Sequence, residues 1–591
     1  MLNRTRTSTL DAFGLRDQRN RIYPALTGSD GSTLSLDFTL MSGLDSRFTF
    51  SRSSPATFIN SSGLVQYADH NILRNSTMLV STGYTVGTSG GGTATINGDG
   101  TVTFSSTAGR VTWLQSVSVA IGLPITFSIE VTALTNTDIR TSDLFAAGFG
   151  FTSQVFNYTN SAGVTTTNIG AFTTLPGVGL YTVTAVTTAA SANVIFGTDC
   201  NGVNRTGTVT ITRPQVQYGH VLPRRSFVPN SSTGASFFDT ARFDYDPTTL
   251  ASRGLLIEGS AINIATYSND FANAIWQVDN GSATNPAVST VSQSGPDGAS
   301  TVTRITFNKT GGTFSRIRQT LTGTASTAYT MSVWMKANTA NGGASTQNVG
   351  IRIGADPAGF NCVVTTTWKR FQYNYTLSGT DAAAQIMLWD NIVGNDETAD
   401  VLVYGCQIEA GSGASSYIPT GASTVQRAAD SCVMTGTNFS SWFAGVTSGY
   451  SVLWSCSPQS RQAGSFPPMI CLRGPSDSGS RSYYYNDGTY NTAHRTSNGT
   501  TASESFGPNS LTYGVARKFA ISVTNGSQLV SSNGATANSN TQAITSFNQT
   551  TLGFGNDADT TPGSLTGRQH FQSFKFWPYP QTQAALNALT A

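Results

Sequence analysis

Breaking a glycosidic, ester or phosphate bond takes particular sets of side chains: a carboxylate pair, a nucleophile beside a base, or clustered metal ligands. Such sets are thin in this chain. Glutamate occurs only at positions 130, 258, 397, 409 and 504. Glu130 falls in a strand-like stretch and Glu258 in a connecting stretch. Neither Glu130 nor Glu409 has an acidic counterpart in the internal repeat described below, where Trp334 and Gln217 stand instead. Aspartates are more numerous, but no spacing singles out a pair, so an aspartate-based site stays open. There is no H-E-x-x-H and no phosphate-cradling glycine loop. His70, His220, His494 and His570 are scattered, and cysteines 200, 362, 406, 432, 456 and 471 lack zinc-ligand spacing. These cysteines are expected to be reduced and mostly buried. Asn556-Asp557-Ala558-Asp559 reads as an Asx-rich turn in preference to a calcium loop. The expectation is a protein without catalytic residues, metal centre or cofactor.

Side chains that hold a sugar are better represented. Pyranose rings present apolar faces to aromatic rings and hydroxyls to amides and carboxylates. The strongest such cluster is Tyr483, Tyr484, Tyr485, Asn486 and Asp487. In a strand, alternation sends Tyr484 to one face and Tyr483 and Tyr485 to the other, so at least one ring faces outward. Packing of all three at subunit contacts is the competing reading. Trp276, Trp334, Trp368 and Trp389 are expected in the core, with Trp334 and Trp389 pointing inward from their strands. Arg4, Arg6, Arg16, Arg19 and Arg21 mark residues 1–30 as an arm that orders on docking to a larger assembly.

The elements that must position these residues follow from a repeat. Asn71-Ile72-Leu73-Arg74-Asn75-Ser76 returns as Asn263-Ile264-Ala265-Thr266-Tyr267-Ser268, an offset of 192 residues. The same offset relates Tyr84 to Trp276, Ile195 to Met387, and Gln215 to Gln407. Within each copy, strand-like stretches alternate with period two between Gly, Asn, Ser and Pro turns, as in 125–133 and 329–337. Those two stretches align at an offset of 204, so a loop lengthened before that strand and shortened after it. No stretch sustains a 3.6-residue apolar period, apart from a short closing helix with Leu586 and Leu589 on one face. The fold class is therefore all-β, with tandem antiparallel sandwiches of jelly-roll type. The expected division is 1–30 an anchoring arm, 31–70 a β-rich connector, 71–239 and 263–430 the two copies, 240–262 a connector, and 431–591 a third sandwich.

Composition narrows the partners. Charged residues are 11% of the chain and the net charge is +2, so no global field points to nucleic acid or to a membrane surface. No apolar run approaches the length of a membrane span, and the start has no apolar leader segment. With so few charges, stability is expected from sheet ladders and buried apolar faces. Lysine occurs only five times, so the basic residues are nearly all arginine, suited to planar bidentate pairing.

Three blocks carry a family resemblance: R-F-T-F-S-R-S-S-P-A-T-F-I-N-S-S-G-L-V-Q at 47–66, R-F-D-Y-D-P with R-G-L-L-I-E-G at 242–259, and Q-R-A-A-D at 426–430 followed by T-G-T-N-F-S-S-W-F. Through them, residues 45 to 591 resemble bacteriophage fibre and spike proteins whose sandwich modules are similar to carbohydrate-binding modules. Residues 431–591 resemble a concanavalin A-like (laminin G-like) lectin domain, down to the closing W-P-Y-P-Q-T-Q-A-A-L-N-A-L. The paired-glutamate strand of the related glucanases is absent there. In similar proteins the first block runs almost directly into the second, so the first copy looks inserted. The resemblance implies a homotrimeric virion protein, assembled in the host cytoplasm. It would be anchored through its N-terminus to capsid, tail or baseplate proteins, and would bind host surface glycans. A polysaccharide-degrading spike and a purely structural fibre are the alternatives.

Overall fold

The computed structural model describes residues 30–591 except 79, 136–137, 148–150, 201–204, 220–225, 300, 341, 462–467, 475–480, 487–491, 498–500, 507–513, 537–546 and 556–566. Strands make up 52% of the chain and helices 4%, in several antiparallel sheets with no closed barrel, so the all-β expectation holds. Two compact units are present. Among the described residues, one contains 69–239 and 420–423, and the other contains 30–68, 240–419 and 424–591.

In the first unit a single long strand, Thr101–Ser118, serves both layers. Its first half pairs with Arg205–Tyr218 (Phe104↔Val209) and its second with Ser191–Gly197 (Leu114↔Ile195). The register slips between Ser106 and Gly109, where Ala108 takes φ +58°, and this bulge lets the strand pass from one layer to the other. Alternation buries Val102, Phe104, Val111 and Trp113. The Phe104 and Trp113 rings meet edge to face at 5.6 Å.

The second copy, in the other unit, breaks that strand in two. Val302–Asn308 belongs to the sheet Thr284–Val291, Val302–Asn308, Thr398–Ala410, Ala328–Ala337, Lys369–Thr376. Phe314–Gln319 belongs to the facing sheet Gln277–Asn280, Phe314–Gln319, Ala384–Trp389, Thr346–Ile353, Phe360–Thr365. Between the sheets lies a core that includes Ile305, Ile317, Met331, Val333, Ile351, Ile386 and Val401.

Both copies share a set of buried amides. Asn71 Nδ2 donates to the carbonyls of Pro214 and Val228, while its Oδ1 accepts from the N–H groups of Leu73 and Val216. Asn263 does the same with Cys406, Ile418, Ala265 and Ile408. Gln115 exchanges two bonds with the Arg74 backbone, as Gln319 does with Thr266. Gln215 accepts from Val228 N–H, as Gln407 does from Ile418 N–H. Each amide satisfies backbone groups that the entering chain leaves unpaired inside the sandwich.

The C-terminal sandwich draws strands from across the sequence. Gly567–Trp577 is flanked by Gly449–Arg461 and Ser252–Glu258, with Arg242–Tyr245 beyond. Leu34–Asp37 also pairs with it, Leu36 opposite Phe574. In the facing seven-stranded sheet, Thr49–Ser51 pairs with Ser431–Thr435. The stretches expected as connectors, 31–70 and 240–262, thus contribute strands to this sandwich.

A buried charged node lies where these segments meet. Arg242 reaches Glu258 at 2.6 Å and Asp430 at 2.5 Å. Arg52 holds the other oxygen of Asp430 at 3.0 Å. Arg568 and Arg427 approach Glu258 at 3.2 and 3.6 Å, and Ser416 donates to it from both its N–H and its hydroxyl. The guanidiniums also donate to main-chain carbonyls: Arg52 to Ser54, Arg242 to Thr57, Arg427 to Gly259 and Arg568 to Ala414. Burial opposes ionisation of Glu258, but the charges of Arg427, Arg242 and Arg568 outweigh it and hold the carboxyl well below its ordinary range. Nearby, His570 Nε2 faces Asp244 at 2.7 Å. Burial pushes the imidazole down, and its Nδ1 has no acceptor, so the neutral ring donates to the carboxylate.

Candidate functional site

The outer face of the five-stranded sheet in the second copy gathers a different set of side chains. Its three central strands read F-S-R-I-R-Q, A-Q-I-M-L-W and T-Q-N-V-G-I-R-I. The aliphatic alternates (Ile317; Ala384, Ile386, Leu388; Val349, Ile351, Ile353) enter the core. Period two then sends Phe314, Arg316, Arg318, Gln385, Met387, Trp389, Gly350 and Arg352 to the opposite face. Register aligns them in rows. Arg318, Gln385 and Arg352 stand opposite one another, and Arg316, Met387 and Gly350 form the next row.

Gln385 is the hub. Its Nε2 donates to the Gly354 carbonyl at 2.7 Å, which fixes the amide and aims Oε1 across the face. That oxygen accepts from Arg316 at 3.0 Å and from Arg352 at 3.4 Å. Glycine is required at 354: φ is +51°, and a Cβ there would stand 2.0 Å from the Asp381 carbonyl oxygen. Both arginines lie over aromatic rings, Arg316 over Phe314 at 4.6 Å and Arg352 over Trp389 at 4.5 Å. Asp279 grips Arg316 through both oxygens at 2.5 and 2.8 Å, and lies 3.5 Å from Arg318 Nε. Arg352 Nε donates to the Asp356 carbonyl at 2.5 Å.

The electrostatics are lopsided. Three guanidiniums share the face with one directly paired carboxylate, that of Asp279. The Asp356 carboxylate is engaged by the N–H groups of Ala358 and Gly359 and by the Tyr373 hydroxyl. Asp381 takes the Ala383 N–H. Burial, then the neighbouring charge of Arg316, lowers the pKa of Arg352. The loop after Trp389 borders the face. Ile392 packs where a Cβ on Gly350 would stand, Asn395 accepts from Trp389 N–H and donates to Asn361, and Asp396 holds Asn348.

Trp389 therefore does not point into the core as expected. It is half-buried on the outer face, because the purely aliphatic alternates of its strand took the inner one. Trp334 is buried, but on the outer side of its own sheet, with Tyr404, Tyr417 and the Arg370 guanidinium. Trp276 is a core residue. Tyr483, Tyr484, Tyr485 and Asn486 lie in the strand Arg481–Asn486, opposite Arg495, His494, Ala493 and Thr492. Asp487, the 556–559 turn and Arg4, Arg6, Arg16, Arg19 and Arg21 lie outside the described residues. The strand that carries the tyrosines belongs to the seven-stranded sheet of the C-terminal sandwich, not to the five-stranded sheet that carries the arginines. Sequence reasoning missed that face, although its signal is present: R-I-R at 316–318 and I-R-I at 351–353 set arginines on strands with aliphatic alternates. Among the described residues, no three His, Cys, Asp or Glu side chains group as metal ligands.

No protein-family model and no curated protein matches the chain. Similar solved structures include the CBM40 of the Ruminococcus gnavus IT-sialidase bound to α2,3-sialyllactose, at 10% identity over 25% of this chain and 85% of that one, with a TM-score of 0.21. Domain 4 of AbnA, an extracellular arabinanase of Geobacillus stearothermophilus in complex with arabinotriose, is similar at 16% identity over 30% and 82%, TM-score 0.21. The enzymatically active domain of bacteriophage CBA120 tailspike protein 4 is similar at 16% identity over 25% and 21%, TM-score 0.19. Likenesses of this extent assign neither ligand nor role.

Proposed function

We propose that the chain is a virion fibre or spike protein that attaches to host-surface glycans, and that the outer face of the second sandwich is where it holds them. The observation that carries this reading is the Arg316–Gln385–Arg352 constellation on its Phe314 and Trp389 platforms. Planar groups with several directed donors suit adjacent sugar hydroxyls, and rings lock the long arginine side chains before a ligand arrives. Arg316, Arg318, Arg352 and Trp389 are partly exposed above the buried Gln385 and Met387, so one or two units of an extended polymer would lie across them without being enclosed. The ion pairs and backbone bonds of the charged node suit a displayed part, since they fix the second copy and the C-terminal sandwich to common segments. The Tyr483–Asn486 strand is a second candidate contact.

A glycan array and a reducing-end release assay on the purified chain test this together. Binding without release is expected. Release of oligosaccharide would replace attachment by depolymerisation, and silence in both assays would leave a structural fibre. Immunogold labelling of particles with an antibody to 431–591 tests display and separates head from tail.

A further inference from the structure

We infer that the sugar held on this face is acidic, its carboxylate received between Arg316 and Arg352. The inference rests on the reading of the face as a glycan site and names the class of glycan. Two guanidinium edges converge on one neutral oxygen, Gln385 Oε1, at 3.0 and 3.4 Å. The oxygen they share is neutral, and Asp356 and Asp381 act on Arg352 only through attraction at longer range. Asp279 serves Arg316 and lies beside Arg318, and among the described residues no carboxylate makes an ion pair with Arg352. Arg318 Nε is buried and lacks a hydrogen-bond acceptor, its contact with Asp279 being 3.5 Å. The Trp389 indole N–H has no partner among the described residues. The face therefore holds more planar donors than directly paired carboxylates, an imbalance an anion would correct, and stacking on Phe314 and Trp389 fixes Arg316 and Arg352 in advance. A carboxylate is planar and has the outline of the amide already seated there, so it fits two guanidinium edges better than a tetrahedral sulfate or phosphate ester. Neutral sugars offer hydroxyls, which satisfy the donors without balancing the charge.

The test uses the full chain. An array carrying neutral, sulfated and carboxylated glycans, the last including oligogalacturonate and sialylated oligosaccharides, identifies the best binder. Its affinity is then measured before and after chemical reduction of its carboxyls to alcohols, and with Arg352→Met, Arg316→Met and the charge-retaining Arg352→Lys. Thermal melts check that each variant is folded. Preference for a carboxylated glycan is expected, with at least about a tenfold loss on carboxyl reduction and on Arg352→Met, and a smaller loss for Arg352→Lys. Equal binding of neutral glycans, or sulfated glycans bound as tightly as carboxylated ones, would overturn the acidic-sugar inference and leave the glycan reading intact. Binding of a carboxylated glycan that survives all three variants would move the site elsewhere and overturn it too. No binding to any glycan would overturn both.

Discussion

Glu258→Gln should unfold the larger unit at markedly lower denaturant. The side chain is fully buried and accepts from Arg242, Ser416 N–H and Ser416 Oγ, with Arg568 and Arg427 as ion-pair neighbours at 3.2 and 3.6 Å. Replacing its charge leaves three buried guanidiniums, Arg52, Arg242 and Arg427, with Asp430 as their ion-paired carboxylate, and takes away the ion-pair partner of the half-buried Arg568. Breaking one partner of a buried ion pair costs about 3–5 kcal/mol, because the remaining charge stays desolvated and uncompensated. With a slope of about 3 kcal/mol per molar, that lowers the urea midpoint by on the order of 1 M. The effect has a pH signature. The folded carboxyl titrates well below its ordinary 4.5, so its stabilisation is complete above that value and is lost as pH falls through the folded pKa. The gap between parent and variant should be widest near neutrality and narrow on acidification. Urea titrations followed by tryptophan fluorescence at pH 7, 5 and 3.5 measure it. A midpoint within about 0.5 kcal/mol of the parent at pH 7, or a gap that stays constant with pH, would refute the reasoning.

Three further outcomes follow. Asn71 and Phe237 exchange backbone hydrogen bonds of 2.9 Å, so the two ends of the first unit's main segment leave side by side; a chain in which 69–239 is replaced by a flexible link of about six residues should keep the urea midpoint of the larger unit, and loss of cooperative unfolding would count against it. Asn263→Ala strips partners from four buried backbone groups and should cost about 3 kcal/mol in chemical denaturation, whereas Asn374→Ala at a partly exposed site should cost under about 1. Burial pushes the thiols of Cys362, Cys406, Cys432 and Cys456 up, so a thiol reagent at pH 8 should modify them only after denaturation, with Cys200 the most accessible; rapid labelling of Cys406 in the folded protein would contradict the packing.

Period two was legible along most of the chain because sandwich strands bury one face each: Y-T-M-S-V-W-M-K-A became Ala328–Ala337 and Q-I-M-L-W lies within Ala384–Trp389. The paired positions Asn71 and Asn263 are tied to the backbone in the same way, which gives those matched letters a physical reason. What alternation cannot tell is which of two faces is the core. Trp389 looked internal by size, yet Ile386 and Leu388 fill that volume, and the indole was left to support Arg352. Partner identity was also hidden. Few ion pairs were expected from 11% charged residues, and the chain concentrates several in one place. Arg52, Arg242, Glu258, Arg427 and Asp430 all sit in the blocks that carried the family resemblance. Their charges were visible, but local sequence holds no record of contacts made across hundreds of residues.

The order of strands in the C-terminal sandwich bears on how the chain is made. Leaving the ribosome early, Leu34–Asp37 finds its partner only when Phe574 emerges, roughly half a minute to two minutes later at about 5–20 residues per second. That partner strand, Gly567–Trp577, enters the middle of its sheet, between Gly449–Arg461 and Ser252–Glu258. A chain broken off before Gly567–Trp577 would thus lack the middle strand of that sheet and leave the sandwich unfinished and open to proteolysis.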